Sequence, residues 1–137
     1  MIFNVMDNLK KIITKLLNEQ YEEGIKIDEY PFGDYIVYIG RNSKSNDYLT
    51  FNIADQTDLW FHVKNYPGTH VILKLNNNYP NSDIIGFAAS LAKKHSKGNN
   101  VDNVKVVYTE VSNVYKTEDM KPGQVDVDKS KLSEITI

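Results

Sequence analysis

The chain has 137 residues, enough for one domain, and its 41% hydrophobic and 25% charged residues are an ordinary globular composition. It has no cysteine, which excludes a disulfide framework, a thiolate metal site and a cysteine nucleophile, and fits a reducing compartment. The net charge of −2 excludes a uniformly basic surface, so any phosphate binding must come from a local patch.

Val5 to Glu23 has the spacing of an amphipathic helix, with Leu9, Ile12, Ile13, Leu16, Leu17 and Tyr21 on one stripe. Such a helix either lies on the domain's own core or serves as a docking element. Tyr35 to Ile39 is a β-rich run. Arg41 to Asp47 is polar and turn-like, and Tyr48-Leu49-Thr50-Phe51 fits a short strand. Leu59 to Val63 and His70 to Leu75 are strand candidates joined by the Tyr66-Pro67-Gly68-Thr69 turn, which predicts a hairpin. Ser82 or Asp83 can cap a helix running to about His95. Its small residues Gly86, Ala88 and Ala89 permit close packing on a sheet, and Lys93, Lys94 and His95 sit where the helix dipole favours cations. Val104 to Tyr108 alternates like a half-buried strand, Val111 to Lys116 suggests another, and Val125 to Val127 and Ile135 to Ile137 are short final strands. The expected fold is α+β: a mixed, mostly antiparallel sheet with one central helix packed on it, preceded by the N-terminal helix, with a division at residues 1–24 and 25–137. No apolar run approaches the length of a bilayer span and no signal-peptide pattern opens the chain, so a soluble, cytoplasmic protein is expected.

Three stretches carry a family resemblance. The first is Gly40-Arg41-Asn42 followed by Asn46-Asp47-Tyr48-Leu49; the second is Asp58-Leu59-Trp60-Phe61-His62 followed by Pro67-Gly68-Thr69-His70-Val71. The third runs from Ser96-Lys97 through Val106, Tyr108 and Thr109 to Lys121-Pro122-Gly123. In this order they resemble the NFACT-R domain, the C-terminal domain of proteins of ribosome-associated quality control, also described as fibronectin-binding-like. The sequence departs from the family pattern at Ser45, where glutamine is frequent, at Thr69, where serine is usual, and in the modest basic content of Ser96-Lys97-Gly98. The larger members add a catalytic-like domain, helix-hairpin-helix modules and a coiled coil. The expectation is therefore a free-standing version or a C-terminal piece. The resemblance implies contact with RNA, either tRNA or ribosomal RNA on the large ribosomal subunit. It implies no bond-making chemistry, cofactor or metal, and no membrane partner.

The residues admit that role. Glycine at position 40 lets a ligand approach the backbone, and the planar fork of Arg41 suits phosphate. Asn42, Ser43, Lys44, Ser45 and Asn46 can donate to phosphate or sugar. Trp60 and His62 should share one strand face, with Phe61 and Val63 on the other. Exposed rings there can stack on bases, whereas buried ones belong to the core. His62 and His70, brought together by the turn, can hydrogen bond within the hairpin or to phosphate; with Asp58 they also suggest a metal site or a catalytic base. Lys93, Lys94 and Lys97 with His95 form a candidate basic patch, or simply a solvated helix end. Lys64, Lys74, Lys105, Lys116 and Lys121 extend it only if they share a face. The expected RNA-binding set is Arg41, Asn42, Lys44, Asn46, Trp60, His62, His70, Lys93, Lys94 and Lys97. Two other readings stand beside it: a protein-interaction module, and a small hydrolase. The second lacks a phosphate loop, a nucleophile elbow or a metal-binding helix.

Overall fold

The structure, a computed structural model, describes residues 5–6, 8–10, 12–13 and 21–137. Six strands form one antiparallel sheet in the order β1-β2-β4-β3-β5-β8: β1 Ile27–Phe32, β2 Tyr35–Gly40, β3 Leu59–Val63, β4 Val71–Lys74, β5 Lys105–Glu110 and β8 Ser133–Thr136. A separate ribbon pairs β6 Val114–Tyr115 with β7 Asp126–Val127. This is the expected α+β architecture.

Side-chain alternation gives the sheet two covered faces. Val37, Ile39, Phe61, Val63, Val71, Leu73 and Val106 point to one side, where the long helix (Ser82–Lys94) lays Ile84, Ala88, Ala89, Leu91 and Ala92 on them. Asn81 caps that helix, its side chain accepting from the Ile84 N–H at 3.0 Å, one residue ahead of the expected cap at Ser82 or Asp83. The two alanines make the close packing. Gly86 does not, since a Cβ there would meet nothing within 4 Å.

On the opposite face Trp60 and Ile72 pack with Leu49, Val111 and Val114. Leu49 arrives on a helix, which corrects the expected turn and short strand between Arg41 and Phe51. Helix α1 (Ser43–Tyr48) continues into a π-helical turn, Leu49–Ile53. The cause is local. Asn42 takes an extended backbone and its side chain accepts from the Ser45 N–H at 2.7 Å, which starts a helix. The long helix Ser82–Lys94 is α2.

Strand β1 was not expected. It contains Pro31 and Glu29 and lies at the sheet's edge, where a missing N–H costs no ladder bond. Gly33-Asp34 turns it back into β2, with Gly33 at φ +59°. Of the expected helix from Val5 to Glu23, residues 7, 11 and 14–20 lie outside the described residues; those described in it up to Ile13 are helical, while Glu23 and Gly24 form a turn. Leu9, Ile12 and Ile13 of the stripe are exposed, as is Val5, while Tyr21 is half-buried with its ring edge-on to Tyr48. Among the described residues no helix is long and apolar enough to cross a membrane.

Candidate nucleic-acid interface

The end of β2, the start of α1, the turn before β4 and the end of α2 meet around a polar hollow of about 270 Å³. Its lining comes from Gly40, Arg41, Asn42, Ser43, Asn46, Gly68, Thr69 and His95. Residues up to 55 positions apart in sequence are thus held on one small surface.

The hollow is built on Asn46, which is only 8% exposed. Its Oδ1 accepts from the Thr69 hydroxyl at 2.9 Å and from the His70 N–H at 3.2 Å. Thr69 also hydrogen bonds to the Gly40 carbonyl. Helix α1 therefore clamps the β2 end to the β4 turn. The clamp requires glycine at position 40: a Cβ there would stand 2.2 Å from Asn46 Oδ1 and 2.9 Å from its backbone nitrogen. Below this, Ser45 is buried and its hydroxyl accepts from the Lys26 N–H at 2.7 Å, tying α1 to the approach to β1.

Two further ties bring the third sequence stretch to the same place. The Lys97 N–H donates to the Pro67 carbonyl at 2.9 Å. The Gly123 N–H donates to Asp47 Oδ2 at 3.0 Å, and Lys116 Nζ lies 3.3 Å from the same oxygen. Gly123 sits at φ +82°, and a Cβ on it would press on Ser43 at 3.0 Å, so both backbone and space select glycine.

Arg41 is the exposed cation of the hollow. Its Nη1 pairs with Asp28 Oδ2 at 2.5 Å, which holds its pKa above the ordinary arginine value. Arg41 also lines a second depression, of about 590 Å³, with Tyr21, Ile25, Lys26, Ile27 and Asp28. One guanidinium thus stands between two hollows. His95 faces the first of these, and its Nε2 is buried with no hydrogen-bond partner among the described residues. Partial burial lowers its pKa, helped by the positive charges of Arg41 and Lys94 and opposed by Asp28.

A family model described as NFACT protein RNA binding domain matches residues 30–129. The chain belongs to this family. Rqc2 homolog RqcH of Bacillus subtilis is 34% identical over 100 residues, which are 73% of this chain and 17% of that protein. RqcH of Streptococcus suis is 36% identical over 104 residues, 76% of this chain and 19% of the relative. Coiled-coil domain-containing protein 25 of Bos taurus is 35% identical over 102 residues, covering 71% and 49%. The solved C-terminal part of the fibronectin/fibrinogen-binding protein from Streptococcus suis superposes with a TM-score of 0.78 at 31% identity, over 85% of this chain and 46% of that one. The chain spans less than a quarter of these RqcH relatives and about half of the coiled-coil relative.

The ten residues singled out from sequence separate into distinct groups in this NFACT-type domain. Arg41 and Asn42 are exposed on the hollow, though Asn42 also caps α1 and its Nδ2 donates to the Gly24 carbonyl at 3.1 Å. Lys44 is exposed and its Nζ donates to the Glu23 carbonyl at 2.8 Å. Asn46 shapes the hollow from within. Trp60, 4% exposed, offers no ring face to a base; it is a core residue, stacked on His62 with ring centroids 5.8 Å apart. His70, 1% exposed, hydrogen bonds through Nδ1 to Thr50 Oγ1 at 2.9 Å. Burial lowers its pKa to about 3, with the neighbouring His62 adding to the shift.

His62 and His70 do meet, edge to face at 5.9 Å. Asp58 is elsewhere: its carboxylate accepts from the Asp55 and Leu75 N–H groups and pairs with Lys74 at 2.9 Å. The alternative metal trio of His62, His70 and Asp58 is therefore not assembled, and among the described residues no cluster of three such ligands occurs. Lys93 is turned from the hollow, donating to the Ile137 carbonyl at 3.0 Å, while Lys94 and Lys97 remain exposed beside His95. The wider set of lysines is dispersed among carboxylates: Lys64 on Glu134, Lys74 on Asp55 and Asp58, Lys116 on Asp47. Lys26, Asp28, Ser43, Gly68 and Thr69 were not in the expected set. Lys26 and Asp28 escaped it because β1 was not expected, although the Gly-Asp hairpin signal was present.

Proposed function

We propose that this chain is a non-catalytic RNA-binding module whose polar hollow holds a sugar-phosphate backbone, and that the RNA is tRNA or ribosomal RNA bound in ribosome-associated quality control at the large ribosomal subunit. The observation that carries this reading is the convergence of three distant sequence stretches on one hollow that presents Arg41 and Asn42 beside His95. Acceptor-rich phosphate satisfies such donors. The ion pair with Asp28 does not obstruct this: it uses one Arg41 nitrogen, is open to solvent, and can exchange for phosphate.

The test is equilibrium binding of labelled tRNA and of single-stranded RNA at several salt concentrations. Affinity should fall steeply with salt, and Arg41→Ala should weaken binding while leaving the thermal midpoint unchanged. Failure of both RNAs to bind at low salt sinks the reading. A second reading, docking on a protein, is favoured by one observation: Leu9, Ile12 and Ile13 expose 47%, 55% and 47% of their surfaces. It predicts partners retained after nuclease treatment and lost when these residues are replaced.

A further inference from the structure

A depression of about 860 Å³ lies on the Trp60 face of the sheet and is lined mainly by carbon. Its floor crosses three strands in register, His62 opposite Val107 and Val107 opposite Glu134. One wall is the Tyr66-Pro67 turn and the other is Leu132 with Lys129. We propose that this groove is a nucleobase slot, in which an unstacked base of bound RNA lies against the His62 ring while its backbone crosses the Pro67-Gly68 turn into the polar hollow.

Three observations carry this. First, the two depressions share that turn: Pro67 lines the groove and Gly68, the next residue, lines the hollow. A strand seated in one is at the rim of the other. Second, the His62 ring is held in place before any ligand arrives. Trp60 lies parallel to it within 7°, His70 meets it edge to face, and its Nδ1 is 2.7 Å from the Val63 carbonyl. A carbonyl only accepts, so Nδ1 carries the proton in this bond. Third, the rim is cationic. Lys64 and Lys129 line the groove against the single carboxylate of Glu134, which Lys105 also approaches at 3.9 Å. An apolar slot with a fixed aromatic floor and lysines at its edge suits a planar base attached to phosphate.

The proposal rests on the RNA-binding reading of the hollow, and the experiment separates the two. Trp60 is the chain's only tryptophan and touches the His62 ring, so its fluorescence reports on the slot. The full chain is titrated with a labelled single-stranded RNA and with an abasic RNA backbone of the same length, following label anisotropy and Trp60 emission together. The expected result is that base-bearing RNA binds roughly ten-fold more tightly and shifts Trp60 emission, while the abasic strand binds without the shift. Leu132→Glu, at the wall and away from Trp60's stack, should abolish the difference and leave abasic binding intact. Equal affinities with unmoved emission overturn the slot and leave the hollow's role standing. Absence of binding by both strands overturns both. If emission responds to a leucine-rich amphipathic peptide and not to RNA, the groove is a protein-docking surface and the proposal is wrong.

Discussion

Replacing Gly40 by alanine tests whether the hollow is built as described. The new Cβ would lie 2.2 Å from Asn46 Oδ1, 2.9 Å from its backbone nitrogen and 3.0 Å from its Cα. A rotamer change of Asn46 clears only the first contact; the other two require α1 to move off the end of β2. Moving Oδ1 breaks its bonds from Thr69 and from the His70 N–H, each contributing about 1 kcal/mol. Overpacking against backbone adds about 1–3 kcal/mol, and the lower chain entropy of unfolded alanine returns about 0.5–1 kcal/mol. The expected loss is therefore about 3 kcal/mol, a fall in thermal midpoint of roughly 10 °C for a domain of this size. Urea unfolding followed by far-UV circular dichroism measures it, with an unchanged slope showing that unfolding remains two-state. Affinity for tRNA, measured where the variant is still folded, should drop as well, because Arg41 and Asn42 ride on the displaced segment. A loss under about 1 kcal/mol with wild-type RNA affinity would show that Asn46 is not the clamp.

Gly86→Ala is the contrasting case: its Cβ meets nothing within 4 Å inside a helix, so the variant should gain about 0.5–1 kcal/mol in the same urea assay and bind RNA unchanged. Asp28→Asn removes the carboxylate that competes for Arg41 and should raise RNA affinity about two- to five-fold at low salt, an effect that vanishes in an Arg41→Ala background. Arg41→Ala alone should reduce the slope of log affinity against log salt by about 0.7–0.9, the release of one counterion, and an unchanged slope would remove Arg41 from the interface. His70 is neutral when folded and takes a proton when unfolded below its ordinary pKa. Stability should therefore be complete above about pH 6.5 and fall as pH drops toward 3, by up to about 1.4 kcal/mol per pH unit for this one group. Denaturation at pH 7, 6 and 5 should show a shallower fall in His70→Asn, and equal falls in the two proteins would contradict the burial argument.

Much of the fold was legible because it is written in local periods. The alternation of Trp60-Phe61-His62-Val63 divides the strand between two faces and the stripe from Ile84 to Ala92 marks the buried side of α2, but that both faces of the strand are covered was not visible in the sequence. The segment from Arg41 to Phe51 was not legible by the same means. Its polar composition resembles a turn, and only the Asn42 cap, a side-chain hydrogen bond three residues long, turns it into a helix. Strand β1 was obscured by Pro31 and its charged neighbours, which an edge position tolerates. At the site, the motif residues were visible but their division of labour was not. Whether Asn46 or Arg41 faces solvent depends on a contact between residues 40 and 46 and another between 46 and 69, and no period within the chain encodes those distances.

The pairing of Asp28 with Arg41 bears on which anions the surface will accept. An uncommitted arginine on a molecule of net charge −2 would gather whatever polyanion diffuses past. One already seated on a carboxylate yields only to a competitor that engages its remaining donors at the same time, as a phosphodiester with two free oxygens does and as chloride does not. The edge strand that supplies Asp28 thereby acts as a discriminator, filtering weak suitors from the site while leaving it open to nucleic acid.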